Sequence, residues 1–305
     1  YISTLIKTCA VKFYVPKFEE TLDENPYLIG LENGILDLTP IETKNKDGVV
    51  IKRDIMQNPF RNGMPDDRVT FSTGYNYIEL SDDDRIVKKI DSFIDKIQTK
   101  EHLKEYVLRL FASCLDGKNK DQEFRIFTGI GSNGKSKMID LLTETLGTYS
   151  GSLPPDVLTL KNNNANGATP YLADKKGKRF LVLQEPEGDS TIQVGKMKGL
   201  SGGDKVPARG LFKDPIEYVP QFKMILVCNK LPKIPSDDGG TWRRIRVTKF
   251  NSKFVKTSKE VDHSKNHYLA DLTIDAEKMK KWAPVFLWML VNRYYKRYID
   301  IPENG

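Results

Sequence analysis

An eight-residue segment constrains the fold of this chain more than any other part of its sequence. Residues 129–136 read Gly-Ile-Gly-Ser-Asn-Gly-Lys-Ser and fit the pattern G-x-x-x-x-G-K-[ST] at every fixed position. In such a loop, backbone N–H groups surround the β- and γ-phosphates of a nucleotide, the lysine adds positive charge and the hydroxyl ligates Mg²⁺. The residues predicted to hold the nucleotide are Gly129, Gly131, Ser132, Asn133, Gly134, Lys135, Ser136 and Lys137, with Ser136 also on the metal.

The segments on either side of this loop predict a strand and a helix. Residues 124–128 form an apolar run typical of a buried strand, and from Ser136 onward apolar residues recur at helical spacing until Gly147. A helix that begins at the loop directs its partial positive charge toward bound phosphates. The order strand, loop, helix therefore predicts an α/β fold with a nucleoside triphosphate site.

Two later strands are predicted to end in polar residues beside the same site. The apolar run at residues 178–183 leads into Glu185 and Glu187, and the run at 222–228 leads into Asn229. Open α/β sheets bind their ligands at the carboxyl ends of the strands. A carboxylate at that place can hold Mg²⁺ through water and activate the attacking water; Glu185 is the first candidate and Glu187 the second. Asn229 can orient this water without a repelling charge.

Two further segments complete an ordered set of five motifs. The sequence L-S-G-G-D-x-x-x-A-R at residues 200–209 precedes the strand that ends in C-N-K-L-P, and W-R-R-I follows at 242–245. With the phosphate loop and the Q-E-P-E of residues 184–187, this set resembles the superfamily 3 helicases. Within them the chain is most similar to the primase-helicases of poxviruses and giant viruses and to their phage and plasmid relatives. The resemblance runs from about Asn25 to the C-terminus.

The resemblance implies an AAA+-type P-loop ATPase core that forms a hexameric ring. Such a ring hydrolyses ATP with Mg²⁺ at its subunit interfaces and translocates on single-stranded DNA. It implies an arginine finger supplied by the neighbouring subunit, here Arg243 or Arg244. It also implies a viral replication protein that acts at the replication site in the host cytoplasm. The catalytic residues carried over in this way are Lys135, Glu185, Glu187, Asn229, Arg243 and Arg244.

A β-hairpin before the third strand is the element through which rings of this family contact DNA. Residues 206–212 and 216–219 are its predicted arms here, because the Asp-Pro pair within residues 213–215 favours a turn. A lysine at the tip provides a sequence-independent phosphate contact, and an aromatic ring packs against sugar or base. The candidate DNA-binding residues are Lys213 and Phe212 at the tip, then Lys205 and Arg209.

Composition agrees with nucleic-acid binding. The 305 residues include 48 Lys+Arg and 41 Asp+Glu, a net charge of +7, which a ring would concentrate around its channel.

The 3 cysteines form no disulfide framework and predict reduced, intracellular thiols. The apolar stretch 282–291 is far shorter than the ~20 residues of a membrane span, so we expect a core helix and no membrane partner. His263 and His267 lack a third ligand and predict a surface pair rather than a metal site.

Two helices and a loop are predicted outside the five motifs. Helices are expected at residues 85–98 and 101–115, where apolar stripes keep helical spacing, and residues 161–167 are expected to form a polar loop. The absence of an initial Met suggests a part of a longer protein, with a primase module outside these residues. The chain as a whole divides into four predicted segments. They are a mixed α+β region of short β-type runs and turns (1–80), a helical collar (81–119), the core (120–250), and a linker with a C-terminal helix (251–305).

Two other classes of function stay open from sequence. A P-loop kinase or other nucleotide-processing enzyme would share the loop but would not need Asn229 or the W-R-R-I segment. A DNA-binding ATPase or replication scaffold without processive unwinding would keep the ring and its basic channel. The presence of Lys135, Ser136 and Glu185 argues against a scaffold that has lost turnover.

Overall fold

A computed structural model describes residues 1–160, 169–186, 190–212 and 214–300. Its helices are α1 (Ile2–Lys12), α2 (Arg85–Ile97), α3 (Glu101–Ser113), α4 (Lys135–Leu146), α5 (Asp156–Thr159), α6 (Pro170–Ala173), α7 (Val194–Gly202), α8 (Gly239–Trp242), α9 (Ala276–Met289) and α10 (Lys296–Ile299). Its strands are β1 (Leu28–Leu31), β2 (Gly34–Asp37), β3 (Ile41–Lys44), β4 (Val50–Asp54), β5 (Phe60–Arg61), β6 (Phe124–Thr128), β7 (Ser150–Ser152), β8 (Phe180–Gln184), β9 (Val206–Arg209), β10 (Pro215–Tyr218), β11 (Lys223–Cys228), β12 (Ile245–Lys249), β13 (Lys253–Val255) and β14 (His267–Leu269).

A five-stranded parallel sheet in the order β12-β6-β11-β8-β7 forms the centre of the molecule. Its three inner strands are nearly continuous apolar runs, and the six residues of β11 are all buried. Strands of this kind need cover on both faces, which parallel sheets obtain from helices. The three inner strands, the loop and α4 lie where the sequence predicted them, and the predicted α/β fold is confirmed.

The register of the inner strands brings three chain segments to one edge of the sheet. Val227 of β11 pairs with Phe127 of β6 on one side and with Gln184 of β8 on the other. Because the strands are parallel, the residues that follow them emerge side by side. The phosphate loop, Glu185 and Asn229 are therefore neighbours at the carboxyl edge.

The predicted helix pair packs within the chain. Helices α2 and α3 bury their apolar stripes against the C-terminal helix, which also packs along α4. That C-terminal helix runs from α9 through a π-helical turn, Leu290–Tyr295, into α10. Residues 282–291 are buried except for the half-buried Pro284, which confirms the predicted core helix. Among the described residues no helix is both long and apolar enough to cross a membrane.

The N-terminal region departs from the predicted short β-runs at its start. Residues Ile2–Lys12 form helix α1, and no residue of this helix is buried. No helix was predicted at this position, although Ile2, Leu5 and Ile6 have helical spacing. A helix beside short strands agrees with the predicted mixed α+β region. Beyond α1, turns at Asn33-Gly34 and Asp47-Gly48 join β1 to β2 and β3 to β4, within the region predicted to hold short β-type runs and turns. The polar loop predicted at 161–167 lies outside the described residues.

Candidate nucleotide site

Two glycines of the phosphate loop are required by their surroundings. Gly129 has φ +151°, and a Cβ there would lie 2.4 Å from the carbonyl oxygen of Phe250. Gly134 has φ +83°, and a Cβ there would lie 2.6 Å from Cγ1 of Ile97. Both contacts are shorter than carbon atoms tolerate, so the loop can approach its neighbours only with glycine. The structure places open space around Gly131, whose role is therefore not steric within the chain.

Lys135, the first residue of α4, is held inside the site and is 4% exposed. Its Nζ donates to the carbonyl oxygen of Gly129 at 2.8 Å and to Oδ1 of Asn133 and of Asn229 at 3.3 Å each. Burial lowers the pKa of Lys135, and the nearby Cys228 and Glu185 side chains oppose that shift. The ammonium group thus lies between the loop and the end of β11, where it can exchange carbonyl and amide oxygens for phosphate oxygens.

The loop is also fixed from outside. The Ser132 carbonyl accepts from the backbone N–H of Phe254 at 2.7 Å, and the buried Asn133 donates through Nδ2 to the Phe250 carbonyl at 3.5 Å. Ser136 and Lys137, in the first turn of α4, are exposed. The loop therefore keeps its shape through contacts with the segment after β12, while its hydroxyl and second lysine face outward.

Glu185 follows β8 at the same edge and has an unusual backbone. Its φ is +50°, a conformation that costs a non-glycine residue about 1–3 kcal/mol. The Glu185 N–H donates to the carbonyl of Val227 at 2.9 Å, which holds this residue against β11, and its side chain is exposed. A carboxylate beside the lysine and the start of α4 can approach a metal on Ser136. Glu187, the second candidate, lies outside the described residues.

Asn229 lies between the loop and Glu185, as the strand order requires. Its backbone carbonyl accepts from the Thr128 hydroxyl at 3.4 Å, in addition to the contact of its side chain with Lys135. Cys228 is a neighbour that the sequence analysis assigned only to a buried strand; burial raises the pKa of its thiol. Its position directly before Asn229 is the signal that could have placed it at the site.

Arg243 and Arg244 lie at the opposite edge of the sheet. They precede β12, and Ile245 pairs with Phe124 at the start of β6, so the length of a five-residue strand, about 17 Å, separates them from their own phosphate loop. Arg243 is exposed, whereas Arg244 is half-buried and donates to the carbonyl of Gln122 at 3.5 Å. The structure does not bring either arginine to the phosphate site of its own chain.

The predicted hairpin forms, with a first arm shorter than predicted. β9 and β10 pair from Val206 with Tyr218 to Arg209 with Pro215. The first arm ends at Arg209 rather than at Phe212, whose φ of +58° is incompatible with an extended strand. The second arm lies at 215–218, one residue before the predicted range. Phe212 is 103% exposed, and Lys205 and Arg209 are exposed near the base. Lys213, the other tip candidate, lies outside the described residues.

Two family profiles match most of the chain. The family described as "D5 N terminal like" matches residues 2–108, and a family of unknown function, DUF5906, matches residues 127–244. The first ends within α3, and the second runs from Phe127, near the end of β6, to Arg244. The first match thus covers most of the helix pair, and the second covers the phosphate loop with β8 and β11.

Curated relatives come from large DNA viruses. A candidate helicase of Acanthamoeba polyphaga mimivirus, L207/L206, is 42% identical over 96% of this chain. A candidate helicase of Invertebrate iridescent virus 3, 121R, is 29% identical over 99% of it, and Primase D5 of Fowlpox virus is 27% identical over 75%. The chain spans 29%, 31% and 30% of the length of these three relatives.

A solved structure shares the fold. The apo structure of the NrS-1 C-terminal region aligns with a TM-score of 0.54 at 16% identity, over 86% of this chain and 55% of that one. At this identity the likeness concerns the fold alone. The relatives from mimivirus, an iridovirus and a poxvirus, with the profile named for D5, lead to one conclusion: the chain is of the poxvirus and giant-virus primase-helicase type.

Proposed function

We propose that the chain is the ATP-hydrolysing helicase part of a viral primase-helicase, with an AAA+-type core of superfamily 3. The observation that carries this proposal is the meeting of Lys135, Asn229 and Glu185 at one edge of the parallel sheet, beside a phosphate loop. A lysine that contacts an asparagine on the adjacent strand, with a carboxylate one strand further, is an arrangement suited to attack of water on a γ-phosphate.

In the proposed reaction each side chain has one task. Lys135 leaves the Gly129 and Asn229 oxygens and binds the β- and γ-phosphate oxygens of ATP, where its charge stabilises the transition state. Mg²⁺, held by Ser136 and through water by Glu185, would neutralise charge on the phosphates. Glu185 accepts the proton of the attacking water, and Asn229 orients that water through its side-chain amide.

The position of Arg243 supports a site shared between subunits. An exposed arginine a full strand length from its own loop is free to reach the phosphate site of another copy, and it does not reach its own. A hexameric ring places the same two surfaces against each other at every interface, because head-to-tail contacts close into rings. Between the two candidates we choose Arg243 as the finger, since Arg244 is partly buried within its own chain.

The hairpin supports DNA contact away from the ATP site. β10 leads into the amino end of β11, so the hairpin arises at the edge of the sheet remote from the phosphate loop. Its exposed Phe212, with Lys205 and Arg209 near the base, suits a strand of DNA whose bases stack and whose phosphates need cations. Lys213, the next residue in the sequence, would add a further cation. We propose that these residues face the channel of the ring.

The longer relatives support a larger protein around this part. Since the chain spans about three tenths of them and Primase D5 is one, we propose that a primase module belongs to the same protein, which would act at the viral replication site in the host cytoplasm.

One experiment separates this proposal from its alternatives. ATP hydrolysis is measured with and without a single-stranded oligonucleotide, beside light scattering on a sizing column. A helicase predicts a hexamer whose turnover DNA stimulates and which unwinds a forked duplex. A DNA-binding ATPase or replication scaffold predicts an assembly without unwinding. A monomer that phosphorylates a small molecule would contradict the proposal.

A further inference from the structure

A large cavity opens directly beside the phosphate loop, and none of the proposed steps of ATP hydrolysis uses it. It has a volume of about 820 Å³, within the range of small-molecule sites, and reaches Ser132, Gly134 and Lys137 of the loop and first turn. Its other walls come from α2, from the β13–β14 pair with the residues that follow it, and from the start of the C-terminal helix. A ligand in this cavity and phosphates on the loop would be contiguous.

The cavity wall touches the loop through two side chains. A Cβ built at Gly134 would lie 3.1 Å from Cε2 of Phe254 and 2.6 Å from Cγ1 of Ile97, so both side chains rest against the loop backbone. The Phe254 N–H also donates to Ser132 at 2.7 Å. The backbone of Phe254 is thus bonded to Ser132, and its ring lies against Gly134.

The rest of the cavity combines aromatic and apolar side chains with charged ones. Phe93 meets Trp282 edge-on with ring centroids 5.4 Å apart, and the Lys278 ammonium lies 5.5 Å from the centroid of the Trp282 ring. The two carboxylates in the lining already accept hydrogen bonds: Asp271 from Thr273 and Asp275 from the backbone of Lys278. The lysines in the lining are Lys89, Lys96, Lys137, Lys256 and Lys278. Such walls offer a flat ring a stacking surface and offer an anionic ligand positive charge.

We infer that this cavity receives the base and ribose of the nucleotide, with the ring of Phe254 as the main stacking surface. The inference rests on the proposed ATP site and extends it to residues outside the five motifs. A base stacked on Phe254 leaves its triphosphate directed at Gly134 and Lys135, because the ring lies against the loop. Base–aromatic stacking of this kind tolerates different bases, since every base has a π-face.

The site defined in this way joins segments that are far apart in the chain. Ile97 ends α2, Phe254 lies in β13 and Trp282 lies in α9. A nucleotide in the cavity would contact all three while its phosphates contact the loop. Nucleotide binding would therefore add contacts that link α2 and α9 to the phosphate loop of the sheet.

The test compares ATP with inorganic tripolyphosphate, which can occupy only the phosphate loop. Binding of each to the wild type and to Phe254→Ala and Phe254→Leu is measured by calorimetry in the presence of Mg²⁺. Phe13→Ala, an exposed phenylalanine on the N-terminal side far from the loop in sequence, is the matched control. Thermal unfolding of each variant checks that the fold is retained.

The expected result is a loss specific to ATP. Phe254→Ala should weaken ATP binding by about 5- to 100-fold and leave tripolyphosphate binding within about twofold, with Phe254→Leu in between. Unchanged ATP binding would overturn the inference and leave the proposed ATP site intact. An equal loss for both ligands would also overturn it, because Phe254 would then act by shaping the loop. A wild type that binds neither ligand would refute the proposed function itself.

A second readout follows the cavity directly. Trp282 lies in its wall, so ATP should change the tryptophan emission of the wild type, and the change should be lost in Trp282→Phe. Tripolyphosphate should produce little change. An ATP-induced change that persists in Trp282→Phe would place the base elsewhere.

Discussion

Lys135 and Phe212 show how differently two regions of this chain are built. Lys135 is 4% exposed and makes three hydrogen bonds within the chain, whereas Phe212 is 103% exposed at the tip of a hairpin. The phosphate site is thus pre-formed by hydrogen bonds within the chain, while the hairpin tip presents a ring that the described part of the chain leaves open to solvent. A pre-formed site suits a small ligand, and an exposed tip suits a long partner that threads past it.

The largest expected effect comes from removing the buried lysine. Lys135→Ala should lower ATP hydrolysis by about 10³-fold or more, because it removes the charge that faces the phosphates. The fold should persist, because the Lys135 side chain bonds to the phosphate loop and to Asn229 and is not part of the hydrophobic core. Phosphate release and thermal unfolding check both points, with Lys281→Ala, an exposed lysine of the C-terminal helix, as the control. Turnover close to that of the wild type would contradict the pre-formed site.

The next effect concerns the carboxylate on the strained backbone. Glu185→Gln should keep ATP binding and lower turnover by about 10²- to 10⁴-fold, the usual loss when a general base is removed. Single-turnover hydrolysis measured beside ATP affinity separates the two steps. Glu187→Gln is the matched comparison, and a larger loss there would reverse the ranking of the two acids.

A smaller effect is expected at the hairpin. Phe212→Ala should weaken single-stranded DNA binding by about fivefold or more, through the loss of one stacking surface. The adjacent Leu211→Ala, which removes an exposed side chain without a π-face, should change affinity little. Fluorescence anisotropy with a labelled oligonucleotide makes the comparison. Equal losses in the two variants would remove the stacking role and leave contact through Lys205, Arg209 or Lys213.

The same contrast explains what could be predicted from sequence. The loop, its strand and its helix are each predicted by a local sequence pattern. Because parallel strands align their carboxyl ends, Glu185 and Asn229 could be placed near Lys135 from the sequence. The wall formed by Ile97 and Phe254 could not, because it depends on segments more than 150 residues apart that meet only through packing. The positive φ of Glu185 also carries no local signal, because glutamate has no preference for that conformation. Helix α1 was missed although its apolar spacing was readable.

The central claim is that the pre-formed site of one subunit is completed by the exposed arginine of another. It predicts that Lys135→Ala protein, which keeps Arg243, can rescue Arg243→Ala protein, which keeps an intact loop. Each variant alone should be nearly inactive, since arginine fingers contribute about 10³- to 10⁵-fold in rate.

The most direct measurement is ATP hydrolysis by an equimolar mixture of the two variants after joint reassembly. The account predicts a recovery to about a quarter of the wild-type rate, because half of the sites are intact and half of these face a finger-bearing neighbour. A parallel mixture combines Lys135→Ala protein with Arg244→Ala protein. Rescue in this second mixture but not in the first would identify Arg244 as the finger. A mixture that stays inactive, with both variants confirmed by light scattering in the same assembly, would contradict the shared site.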